Sequence, residues 1–125
     1  GTVDAFLGLP FAQPPVGKLR WQSPRPPEYA SGKVAADAFA PACFQGDHIT
    51  NWYRGVVQGF CGNPDEVIAP EVSEDCLYLN VWRPVGRGDE ALPVIVYVHG
   101  GSNAGGWSYE PNVSNGIITN ITSTN

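Results

Sequence analysis

Basic residues are scarce: seven Lys and Arg stand against twelve Asp and Glu, a formal net charge of −5 with a pI near 4.7. Without a basic patch to neutralise phosphates, nucleic acid is not an expected partner. The acidic balance suits a secreted enzyme as well as a plain solvated surface. Long apolar runs are missing too. No stretch approaches the ~18 consecutive apolar residues that span a bilayer, so no transmembrane segment is expected. No signal peptide stands at residue 1, so either none existed or it has been removed. Cysteine is sparse. Cys43, Cys61 and Cys76 permit one intrachain disulfide and leave one thiol over. None has the close spacing to His or Cys that a zinc site needs, so a metal is not expected. The reading includes no cofactor.

Glycine and proline are abundant, at fifteen and twelve of 125 residues. That is near twice their usual combined share of about 12%. Apolar content of 42%, with 11% aromatic, is still ample for a packed interior, so the composition describes a loop-rich globular piece. Two sequons, Asn112-Val-Ser114 and Asn120-Ile-Thr122, are compatible with glycosylation in the secretory pathway. With a plausible disulfide they favour an oxidising, extracellular setting.

Along the chain, a short apolar strand over residues 5–10 is stopped by Pro10, and Pro14, Pro15 and Gly17 form a rigid turn. Residues 22–33 read as a Pro-rich connection. From Val34 to Pro70 no period of 2 or 3.6 is sustained, although Ala35 to Ala40 suits a short turn of helix. The remainder reads as a long loop, which is uncommon unless functional or covalently tied. A bond between Cys43 and Cys76 would tie it, closing roughly thirty residues at a gain of about 3–4 kcal/mol. Two strands follow: Leu77 to Arg83, which alternates, and Pro93 to His99, a β-branched run with the continuity of a strand buried on both faces. The polar turn between them, Gly86 to Glu90, predicts an antiparallel hairpin. Two strands do not make an independently stable sheet, and no covering helices are visible. The chain therefore reads as part of a larger fold.

The second strand runs into Gly100-Gly101-Ser102-Asn103-Ala104-Gly105-Gly106. Glycine permits positive φ, and successive N–H groups of such a loop can converge on negative charge. In acyl transfer that charge is the oxyanion of the tetrahedral intermediate. A glycine-rich turn without a ligand is the bland alternative. His99 at the end of the strand favours the oxyanion reading, because His-Gly-Gly is the context of esterase oxyanion loops.

Three motifs now carry a resemblance. Phe6-Leu-Gly-Leu-Pro-Phe-Ala-Gln-Pro-Pro-Val-Gly-Lys-Leu-Arg-Trp21 resembles the N-terminal signature of type-B carboxylesterases, the family that includes cholinesterases and fungal lipases. Ser73-Glu-Asp-Cys-Leu-Tyr-Leu-Asn-Val-Trp82 resembles the second signature, and Leu92-Pro-Val-Ile-Val-Tyr-Val-His-Gly-Gly101 the strand and oxyanion loop. The style is closest to fungal members. The resemblance implies an α/β-hydrolase fold, with a mixed central sheet and helices, of which residues 1–125 form the N-terminal segment. It also implies a disulfide between Cys43 and Cys76 and an ion pair between Arg20 and Glu74. The pair would pin the first motif to the second.

Departures matter as well. The family loop usually reads His-Gly-Gly-Gly-Phe, whereas Ser102 and Asn103 follow Gly101 here. The donors are backbone amides, so Gly101 remains the firmest and Ser102 serves if its backbone reaches the required angles. The choline-binding aromatic of cholinesterases would stand beside Asn63-Pro64, where Gly62 is found, so acylcholine specificity is not expected. Ser102 fails the Gly-x-Ser-x-Gly elbow at its last position and is not followed by a helix-forming stretch. The nucleophile, its carboxylate and its histidine are expected in polypeptide outside this chain, with His99 in a supporting role. His48 reads as an exposed or packing residue, and Cys61 as either a buried thiol or a partner of that polypeptide.

The reading is a serine carboxylesterase or lipase acting on an apolar ester, active only with the C-terminal remainder of its domain. The alternatives are a catalytically inactive, esterase-like adhesion module and a free-standing disulfide-stapled interaction domain.

Overall fold

The computed structural model describes residues 2–29 and 35–110. Among these described residues are four strands and one α-helix: β1 (Val3–Pro10), β2 (Ala42–Cys43), α1 (His48–Gly59), β3 (Val72–Ser73) and β4 (Tyr78–Pro84). Short 3-10 turns stand at Gly17–Leu19 and Pro64–Glu66.

β4 alternates half-buried and exposed residues along its length, as a strand with one covered face must. Its partner is β1, not the segment after it. The two pair antiparallel with Val3 opposite Pro84 and Pro10 opposite Tyr78. Arg83 lies opposite Asp4 and closes a 2.8 Å ion pair across the strands. The register shifts between Phe6 and Leu9, where Gly8 sits at φ +69° and donates its N–H to Asn80 Oδ1 at 2.9 Å. A Cβ on Gly8 would lie 2.6 Å from the Ala38 carbonyl, so only glycine lets residues 36–40 pass this closely. Asp37 bridges Leu7 in parallel, with Leu7 N–H donating to Ala36 O at 2.9 Å, and residues 35–40 do not form the expected turn of helix.

The expected hairpin is absent as well. Pro93 to His99 forms no ladder, and Val94, Val96 and Val98 are 84%, 82% and 81% exposed. Its sequence does describe a strand covered on both faces, but no described residue supplies the cover, and β4 has taken β1 as its neighbour.

From Ala35 to Pro70 the described residues are more ordered than the sequence pattern suggested. The short strands β2 and β3 pair in parallel, Ala42 with Val72 and Cys43 with Ser73. Immediately beside them Cys43 and Cys76 are bonded, with their Cα atoms 5.0 Å apart. Between them lies α1. Its inward positions Ile49, Tyr53 and Val57 recur every four residues, the spacing of one helical face. Gly55, Gly59 and the outward Trp52 hide that period in the sequence. The helix ends in a Schellman motif. Gly62 N–H donates to Val57 O at 2.9 Å and Cys61 N–H to Gln58 O at 3.0 Å. Cys61 occupies the left-handed position at φ +61°, and its free thiol is exposed rather than buried.

Ala42, Tyr53, Val67 and Trp107 form the buried cluster, with Ile49, Val57 and Tyr109 packed against it. The core therefore joins the disulfide loop to the segment just after the glycine run.

Two outcomes follow in the complete protein. Replacing both Cys43 and Cys76 by Ser should cost about 3–4 kcal/mol, read from urea unfolding, because the bond spans 33 residues. Cys61→Gly should leave stability unchanged or raise it by up to about 1 kcal/mol, since relief of the left-handed Cβ outweighs glycine's extra chain entropy. A loss of stability would show that the thiol is engaged.

Candidate functional site

The glycine run folds into a tight turn. Gly101 is at φ +113°, Ser102 at +55° and Asn103 at +57°, three consecutive residues in positive-φ conformations. Ala104 N–H closes the turn onto Gly101 O at 2.9 Å. A Cβ on Gly101 would collide with the carbonyl oxygen of Gly105, so this position demands glycine on both counts, whereas Gly100 has open space around it. Ser102 and Asn103 carry side chains in the left-handed region at a cost of roughly 1–2 kcal/mol each. The amides of Gly101, Ser102 and Asn103 make no hydrogen bond to another described residue. They are unspent donors in a curved array, the arrangement that accepts an anion. His99 is exposed, its Nδ1 2.8 Å from the Gly100 carbonyl oxygen.

The downstream flank of this turn is tied to the core. Gly106, at φ +124° and buried, donates its N–H to Gln45 Oε1 at 2.6 Å and accepts from Gln45 Nε2 at 2.9 Å. One residue on, Trp107 N–H donates to Glu110 Oε1 at 3.2 Å, while Tyr53 O–H donates to Glu110 Oε2 at 2.5 Å. Glu110 is only 3% exposed, so these bonds compensate much of the cost of burying its carboxyl group. Burial, reinforced by the Glu110 hydrogen bond, holds the Tyr53 hydroxyl pKa well above its ordinary value of 10.0. Ser108 Oγ accepts from Asn80 Nδ2 at 2.9 Å, linking the same segment to β4 at the Gly8 bulge.

Other singled-out residues lie elsewhere. Arg20 Nη2 is 2.8 Å from Glu74 Oε1, with the two side chains 50% and 31% exposed. At that exposure the pair is worth about 0–1 kcal/mol. Phe11 N–H to Leu77 O at 3.1 Å joins the same two motifs through the backbone. His48 is exposed at the start of α1. Asn112 and Asn120 lie outside the described residues. The sequence reading passed over Gln45, Tyr53 and Glu110. Only Glu110, an acidic residue beside Trp107 and Tyr109, offered a signal; a glutamine two places after a cysteine offers none.

Residues 1–118 match the carboxylesterase family. The chain belongs to that family. Among its relatives, the fumonisin B1 esterase of Sphingopyxis macrogoltabida is 42% identical over 106 residues, covering 85% of this chain and 17% of that protein. The medium-chain fatty acyl-CoA hydrolase precursor of Anas platyrhynchos is 42% identical over 106 residues, 84% of this chain and 18% of that protein. A solved structure of a thermophilic pNB esterase superposes with a TM-score of 0.69 at 33% identity, over 87% of this chain and 20% of that one. This carboxylesterase segment thus has the fold of the N-terminal part of an α/β-hydrolase, and it spans no more than a fifth of the length of these relatives. No helix among its described residues is long and apolar enough to cross a membrane.

The buried Tyr53–Glu110 bond gives a testable pH dependence. The folded protein holds the Tyr53 proton more tightly than the unfolded chain does. Its contribution is therefore complete below pH 10.0 and declines as pH climbs past that value. Tyr53→Phe should lower stability at pH 7 by about 1.5–3 kcal/mol, the range for hydrogen bonds to charged groups. It should also flatten the alkaline limb of a stability-against-pH curve. An unaltered limb would show that Tyr53 does not titrate with unfolding.

Proposed function

We propose that the complete protein is a secreted carboxylic-ester hydrolase of the serine carboxylesterase and lipase type, with residues 1–125 as the N-terminal segment of its single catalytic domain. The observation that carries this reading is the run of positive-φ residues at Gly101, Ser102 and Asn103, whose amides make no hydrogen bond to another described residue. In this reading a serine hydroxyl from polypeptide outside this chain attacks the ester carbonyl. A histidine, oriented by a carboxylate, takes its proton. The N–H groups of Gly101 and Ser102, in the loop opened by Gly100, receive the charge that develops on the carbonyl oxygen. The substrate assigned in this reading is an apolar acyl ester. The relatives named as an esterase and an acyl-CoA hydrolase support acyl-bond hydrolysis in general. The exposed valines of 93–99 support the further step that the remaining polypeptide covers this strand and completes the sheet. Glycosylation at Asn112 and Asn120 belongs to the same proposal.

Labelling the complete enzyme with a fluorophosphonate and mapping the adduct tests the division of roles. The adduct should fall on a serine beyond residue 125, and an adduct on Ser102, or none, sinks the reading. Gly101→Ala should lower kcat on p-nitrophenyl esters by roughly 10²-fold or more, the scale of losing one oxyanion donor.

A further inference from the structure

We propose that Gln45 is the positioning residue of the oxyanion loop: its side-chain amide grips the peptide unit of Gly106 and so sets the direction of the Gly101 and Ser102 amides. The inference rests on the function proposed above and adds to it a residue outside the loop.

The grip is two-sided. Gln45 Oε1 accepts the Gly106 N–H at 2.6 Å and Nε2 donates to Gly106 O at 2.9 Å, the pair of bonds that a neighbouring strand would otherwise offer. The second Nε2 hydrogen reaches Cys43 O at 3.3 Å, so the amide is held by its own stem as well. That stem is short and fixed, because Gln45 stands two residues from the Cys43–Cys76 bond.

Contacts then carry the constraint from Gly106 to the donors. A Cβ on Gly106 would run into His99 Nδ1 and come within 2.8 Å of Gly100 O, so Gly106 lies directly against the start of the loop. A Cβ on Gly105 would fall 2.5 Å from Gln45 Oε1 and 2.9 Å from Ile49 Cγ1, so the loop also seats on the glutamine and on α1. The turn between these ends contains Ser102 and Asn103 in conformations that side chains rarely hold. Left with only the Ala104–Gly101 bond to close it, such a turn would relax and its amides would scatter. Fixing Gly106 against Gly100 closes the turn from outside. Oxyanion donors act through preorganisation, so a small misdirection lowers the rate without altering how the ester is bound.

The complete enzyme with Gln45→Ala and Gln45→Glu tests this. The first removes both bonds. The second has nearly the same size but sets a carboxylate oxygen against the Gly106 carbonyl. Both should lower kcat on p-nitrophenyl butyrate by about tenfold or more, with KM changed by no more than about twofold. Affinity for an alkyl trifluoromethyl ketone, whose addition product with the nucleophile places an oxyanion on the same donors, should fall by the same factor as kcat. Unchanged kcat in either folded variant overturns the proposal. So does a loss that appears in KM, a loss without weaker trifluoromethyl ketone binding, or failure of both variants to fold. Gly101→Ala measured alongside separates the two levels. If it leaves kcat and ketone affinity intact, the oxyanion reading itself fails. If it is impaired while the Gln45 variants are not, only the role of Gln45 falls.

Discussion

The bond between Cys43 and Cys76 closes a loop whose sequence carries little regular pattern, and most of the described structure is arranged around that closure. By bringing the two ends together it lets β2 and β3 pair in parallel over two residues each, a ladder too short to stand alone. The helix α1 is thereby hung from a fixed point, with Ile49, Tyr53 and Val57 turned toward Val67 and Trp107. The stabilisation has its origin mainly in the unfolded chain, whose freedom the cross-link reduces. The exposed Arg20–Glu74 pair beside it adds direction more than energy.

What this arrangement supports is a strained turn. Ser102 and Asn103 occupy left-handed angles that side chains rarely adopt, and two polar contacts, one half-buried and one buried, stand on the downstream side to hold the turn. Gln45 engages Gly106, and Glu110 engages Trp107 while sharing its other oxygen with Tyr53. A buried carboxyl group is costly without partners, and here it joins the helix to the chain that follows the loop. The small core is thus also the foundation of the proposed oxyanion site. Residues that never meet a substrate govern where its amides point.

The same economy leaves other surfaces bare. Val94, Val96 and Val98 face solvent along a segment whose composition belongs in an interior, while Trp21 and Phe60 are also exposed. Relatives of this segment are about five times longer, and their additional polypeptide is the proposed cover.

Sequence alone determined the family, through three ordered motifs whose glycines, prolines and cysteines sit where backbone geometry leaves little choice. It marked the β1 and β4 strands, because alternation and a terminal proline are local signals, and it marked Gly101, because a glycine run after His99 has few uses. Pairing was another matter. The Gly86–Glu90 turn pointed to a hairpin, yet β4 joined β1 from the far end of the chain, a choice made by cross-strand partners such as Asp4 and Arg83 that no local window contains. α1 was hidden because its apolar face is interrupted by glycines and contradicted by an outward tryptophan, so only the core against which it packs selects the helix. Gln45 and Glu110 gained their roles in the same way. A polar side chain acquires a function when folding brings it to a distant peptide, and 61 residues separate Gln45 from the glycine it holds.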